Sequence, residues 1–140
     1  MANEDGIHVF VYGSLKPGEF NYLRYCAGRT VEEHPAIALG ELYSLSLGYP
    51  AMTEGDRTVW GAILSFDDPK ILDDLDSLES YHPSRSPDQN EYQRRRIQTY
   101  TPDRQPFREV WAYLMRPERV RHFDGVLLAE GNWTALQTRP

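Results

Sequence analysis

Cysteine is almost missing from this chain: Cys26 is the single one in 140 residues. That excludes an internal disulfide and suits a reducing compartment. A nucleophilic Cys26 would need a neighbour to activate its thiol, whereas a small apolar residue in the 22–27 segment needs nothing. Basic residues are in deficit, 15 Lys and Arg against 21 Asp and Glu, for a formal net charge of −6. Nucleic acid calls for a basic face, so no nucleic-acid partner is expected. No apolar run approaches the roughly 18 residues of a membrane span, so no membrane partner is expected either. The opening Met1-Ala2-Asn3-Glu4-Asp5 carries acid where a signal peptide carries a basic segment. The expectation is a cytoplasmic protein. The four histidines, His8, His34, His82 and His122, show no ligand spacing, and neither a metal nor another cofactor is expected.

What is present suits one globular domain over residues 1–140, with a core at about 7–116. Apolar residues make up 40% of the chain, and ten glycines and ten prolines argue for many turns. Residues 8–12 (HVFVY) read as a short strand stopped by Gly13. Residues 20–27 read as a short helix closing on Gly28. Strands are expected over 36–45 and 59–66, the second nearly all apolar and therefore covered on both faces. Asp68-Pro69 opens the clearest helix, with Asp68 as N-cap and Pro69 at the first helical position. Its apolar residues Ile71, Leu72, Leu75 and Leu78 follow at helical spacing, and Pro83 ends it near residue 81. Residues 82–91 are polar, hold Pro83 and Pro87, and read as a mobile lid. Strands over 92–101 and 108–115 follow, and 117–140 is weakly patterned, with a packed helix or turn. Strands and helices do not strictly alternate, so the fold class is α+β with a mixed or antiparallel sheet.

Two features could carry chemistry. Glu79 shares a helical face with Leu72 and Leu75, so its carboxylate either loses hydration and becomes an acid/base, or turns at the helix end to water. Asp76, three residues earlier, would add like-charge repulsion. The second feature is Tyr12-Gly13-Ser14-Leu15-Lys16-Pro17-Gly18, directly after the first strand. A glycine there lets the backbone approach a ligand and aim its amides at one point, or simply makes a turn. Glu19-Phe20 stand where a phosphate-binding loop has Lys-Ser/Thr, and no Gly-x-Ser-x-Gly elbow surrounds Ser14. Arg94-Arg95-Arg96 lies on an expected strand, with Arg95 opposite its neighbours; these cations either pair with the abundant acids or meet an anionic substrate.

The ordered set is more specific than its parts. A YGSL turn after the first strand, the helix Leu75-Asp76-Ser77-Leu78-Glu79-Ser80-Tyr81, Tyr92-x-Arg94, and Trp111-x-Tyr113-Leu114 together resemble the γ-glutamylcyclotransferase-like family, which includes the AIG2-like proteins. The resemblance spans about residues 9–115. It implies a small closed or nearly closed β-barrel with helices outside and a pocket beside the YGSL loop. Tyr12, Gly13, Ser14 and Leu15 would then hold the substrate, largely through main-chain groups, and Glu79 falls on the family's catalytic glutamate. Tyr92 and Tyr113 match recurrent aromatic positions, as pocket wall or as core. The implied partner is a small γ-glutamyl molecule, cyclised to 5-oxoproline with release of an amine or amino acid. The alternative is a non-catalytic small-molecule binding protein of the same fold.

Overall fold

Alternation in the first strand sets the plan of the molecule. In β1 (Ile7–Val11), Val9 and Val11 face one apolar cluster and Phe10 faces another, as a side-chain period of two requires. A strand buried on both faces must sit inside a covered sheet. Accordingly, β1 pairs antiparallel with β3 (Pro50–Phe66) and, through Val9 opposite Trp111, parallel with β5 (Pro106–Leu114). Next to β5 lies β4 (Gln93–Tyr100), next to β4 lies β2 (Thr30–Ser44), and β2 returns to β3. The order β3-β1-β5-β4-β2 therefore closes on itself, with β6 (Val126–Leu127) appended to β2. Among the described residues there are also three short helices: α1 (Phe20–Tyr25), α2 (Lys70–Leu78) and α3 (Pro117–His122). The structure is a computed structural model that describes residues 6–26, 28–79, 81 and 90–133. The α+β class and the ring of mixed strands agree with the sequence reading.

The ring is filled by one side of its strands. Phe10, Met52, Val59, Ile63 and Val110 meet there, beside the small Ala36, Ala38 and Ala112, so large and small side chains share the space. Trp133 completes this interior with no accessible surface. The weakly patterned 117–140 segment thus supplies the largest fully buried side chain among the described residues, which its sequence did not announce.

The other side of the strands lies under the helices. Ile71 and Leu75 of α2 are fully buried against a cluster that contains Val9, Val11, Leu64 and Phe66. β3 is covered on both faces from Ala62 to Phe66, a shorter stretch than the 59–66 expected, because Trp60 is exposed. At the start of α2, the Asp68 carboxylate accepts the Lys70 amide at 3.0 Å and Pro69 already has helical dihedrals. The cap forms as the sequence implied, although the helix is assigned from Lys70. It ends at Leu78, earlier than expected. The Tyr81 amide reaches back to the Asp76 carbonyl at 2.9 Å and folds the chain over the helix end.

Strands β2 and β3 are longer than their patterns suggested. The first residues of β2 include Glu32, Glu33 and Pro35, and β3 holds the exposed run Glu54-Gly55-Asp56-Arg57. The first stretch is strand because it pairs with the apolar end of β3: Glu33 opposes Leu64 and Pro35 opposes Ala62; the second bulges between Thr53, opposite Glu41, and Arg57, opposite Gly40. Long-range pairing overrides local polarity there.

Candidate active site

The loop after β1 and the end of α2 meet at one cavity of about 160 Å³. Tyr12, Gly13, Ser14 and Leu15 form one wall, Leu78 and Glu79 another. Gly13 is required by packing, since a Cβ there would stand 2.6 Å from Cγ of Pro50, itself a wall residue. The glycine therefore brings the loop against Pro50, a neighbour the sequence reading did not foresee. The loop is braced behind: the Lys16 amide donates to the Gly13 carbonyl at 3.0 Å, and the Asn21 amide to the Ser14 carbonyl at 2.9 Å. Asn21 Nδ2 also donates to Ser14 Oγ at 2.8 Å. The Ser14 and Leu15 amides donate to no acceptor among the described residues.

Glu79 occupies the C-cap of α2, with φ −85° and ψ 6°. The residue is only half-buried, but its carboxyl lies at the cavity wall and accepts no hydrogen bond from the described residues. Burial pushes this carboxyl up from 4.5 to about 8, and the nearby Glu91 carboxylate adds to the rise. The negative end of the α2 dipole acts in the same direction.

The repelling neighbour is not Asp76, as the spacing had suggested. Asp76 accepts from Arg94 Nη1 at 3.0 Å and from the Tyr113 hydroxyl at 2.6 Å. It faces a cation and a donor instead of Glu79. Arg94 and Arg96 both stack on the Trp111 ring, at 4.8 and 5.1 Å, so they share a face as alternation predicted. Their acidic partners are Asp76 and Glu109. None of the three arginines lines the cavity.

Four phenols complete the walls, and their hydroxyls are committed. Tyr12 donates to the Tyr113 carbonyl at 2.5 Å, Tyr92 to the Pro50 carbonyl at 2.7 Å, and Tyr113 to Asp76. Burial holds all three phenols above their ordinary range. Tyr92 and Tyr113, left open by the sequence, are thus both core and pocket wall. The fourth, Tyr49, spans both carboxylate oxygens of Glu91 at 3.3 and 3.2 Å. Sequence reasoning missed Glu91, Tyr49 and Asn21, none of which has a fixed spacing to Glu79 or the loop. The expected lid lies outside the described residues except for its last two, Asn90 and Glu91, and Asn90 is buried. Among the described residues, no three His, Cys, Asp or Glu converge as metal ligands, and no helix is long and apolar enough to cross a membrane.

Known proteins share this arrangement of elements. The family model described as "Gamma-glutamyl cyclotransferase, AIG2-like" matches residues 9–135. A Vibrio cholerae serotype O1 protein named "Putative gamma-glutamylcyclotransferase" is 30% identical over 125 residues, covering 89% of this chain and 93% of that protein. The crystal structure of an aig2-like protein from Mus musculus superposes with a TM-score of 0.68 at 20% identity, over 91% of this chain and 88% of that one. YkqA from Bacillus subtilis superposes with a TM-score of 0.64 at 18% identity, over 91% of this chain and 39% of that one; the chain spans well under half of YkqA. At such identities the two structures speak to the fold, whereas the family match runs from β1 to beyond the buried Trp133. The chain belongs to the gamma-glutamyl cyclotransferase, AIG2-like family.

Proposed function

We propose that the chain converts a γ-glutamyl amine or γ-glutamyl amino acid to 5-oxoproline and a free amine, with Glu79 as acid/base and the 12–15 loop as substrate cradle. The observation that carries this reading is a desolvated carboxyl, unpartnered among the described residues, on the same small cavity as Ser14 and Leu15, whose amides have no acceptor among the described residues.

The reaction is intramolecular. The substrate's α-ammonium gives a proton to the Glu79 carboxylate, and the freed nitrogen attacks the γ-carbonyl carbon. A five-membered ring closes with high effective molarity, because the reacting groups belong to one held chain. The Ser14 and Leu15 amides stabilise the tetrahedral oxyanion, the kind of donor worth several kcal/mol in a site that excludes water. The ring nitrogen sheds a second proton as the oxyanion collapses and the carbon–nitrogen amide bond breaks. Both protons finish on the departing nitrogen, with Glu79 passing them, and the lactam keeps one hydrogen. Raised to about 8 in the empty site, the Glu79 carboxyl lies far nearer a free α-amine at about 8 than an ordinary carboxyl does, which lowers the cost of passing the proton.

The test is release of 5-oxoproline across a panel of γ-glutamyl amines and γ-glutamyl amino acids. Turnover of at least one member supports the reading. Binding of such compounds without any product would assign the chain to the non-catalytic alternative.

A further inference from the structure

Glu91 has no part in the reaction as written, yet it faces the same cavity as Glu79 and raises its proton affinity. Two carboxyls therefore share one small space. No Lys, Arg or His among the described residues lines that space to neutralise them. The phenols cannot do so either, for Tyr12, Tyr92 and Tyr113 have spent their hydroxyl protons elsewhere. Among the described residues Tyr49 alone serves Glu91, with one proton shared between its two oxygens. Most of the acceptor capacity of both carboxyls is left unused by the described residues. The group that fits is a compact cation with several donors, which describes an ammonium and its three N–H bonds.

We propose that Glu91, held by Tyr49, is the second carboxylate of an ammonium clamp, and that it and Glu79 together select γ-glutamyl compounds whose α-amine is free. The inference rests on the proposed reaction, which requires the α-ammonium to lie beside Glu79. Glu91 is close enough to act on Glu79, so it also acts on a cation placed there. Arrival of the cation has a second effect. Near neutral pH the empty site holds Glu79 protonated, and an ammonium between the two carboxyls expels that proton and leaves Glu79 ready as a base. Among the described residues, the other groups facing Glu79 are Tyr12 just after β1, Tyr113 from β5, Tyr92 beside Glu91, and Tyr49 from the β2–β3 turn. All are phenols raised above their usual range, so none titrates near neutrality. Asp76, on the same helix, is paired with Arg94.

The test uses L-methionine sulfone, whose tetrahedral sulfone stands in for the attacked γ-carbonyl carbon and cannot be cleaved, and its N-acetyl derivative, which lacks the ammonium. Calorimetry on the whole chain should show the free amine binding about tenfold or more tightly than the acetylated form. Glu91→Gln should remove most of that preference while leaving affinity for the acetylated form within about twofold, and Tyr49→Phe should reduce it by less. Repeating the titration in buffers of different ionisation enthalpy should show close to one proton released at pH 7, and none for Glu79→Gln. The proposal is overturned if the wild type does not distinguish the two ligands, or if Glu91→Gln weakens both equally. Should Glu91→Gln fail to fold, the wild-type preference and the Tyr49→Phe loss decide. A clamp that depends on Glu91 in a protein that releases no 5-oxoproline would uphold this inference and sink the reaction.

Discussion

The inside of the ring and the seam under α2 are both buried, yet they are built from different materials. The ring interior is apolar, closed by Phe10, Val59, Ile63 and Trp133. Its one orphaned donor is the Trp133 indole N–H, buried with no acceptor among the described residues. The seam also buries Val9, Val11, Ile71 and Leu75, but it holds Asp76, Glu79, Arg94, Tyr92 and Tyr113 among them. An apolar interior stabilises the fold and has nothing with which to move a proton. The seam sacrifices some stability to keep one carboxyl poorly solvated. Division of labour between two layers of one small domain follows from the sheet, whose alternate residues face opposite ways.

Substitutions can break that comparison. The largest effect is expected on the seam and in catalysis. Glu79→Gln keeps the side-chain shape but cannot accept and return a proton, so 5-oxoproline release should fall by roughly 10²–10⁴-fold. Stability should move the other way. Folded Glu79 keeps its proton up to about pH 8, while the unfolded side chain releases it near 4.5. The wild type is therefore fully favoured by this group below about pH 4.5 and loses that contribution as pH rises through about 8. Denaturation of the two proteins between pH 5 and 9 should show Glu79→Gln gaining steadily on the wild type; parallel curves would mean that Glu79 is solvated.

Next in size is Trp133→Ala, which empties the interior and should cost about 3–5 kcal/mol in urea denaturation. At a temperature where the variant remains folded, its kcat should stay within a few-fold of the wild type. A selective loss of kcat would mean that the two layers are not separable. The smallest effect belongs to Arg94→Met, which takes the guanidinium from Asp76. Both side chains keep some accessibility, 17% and 12%, so a loss of about 2–3 kcal/mol is expected, below that of a fully buried pair. Turnover should hold if this pair only fastens α2 to β4.

Local patterns were legible wherever local physics decides the outcome. β1 was readable because five β-forming residues end at a glycine, and α2 because an Asp-Pro cap precedes apolar residues at helical spacing. Glu79 was found as an acid on an apolar face. What surrounds it was not readable, because partners come from distant segments: Glu91 from the approach to β4, Tyr49 from the β2–β3 turn, Arg94 for Asp76. Spacing named Asp76 as the repelling neighbour because it is near in sequence; in space Asp76 turns to Arg94 and Tyr113. Trp133 stayed hidden for the complementary reason, since a single large residue in an unpatterned segment carries no period. The charged start of β2 was left out of the expected strand over 36–45 because its strand character comes from pairing with β3.

The pairing of Val9 with Trp111 closes the ring by joining segments from nearly opposite ends of the described chain. Such a contact carries a cost in loop-closure entropy that the pairing must repay. The cavity lies at the same junction: Tyr12 follows β1 directly, Tyr113 stands two residues past Trp111, and the hydroxyl of the first reaches the carbonyl of the second. The pairing that closes the ring thus also brings together Tyr12 and Tyr113, two of the cavity's walls.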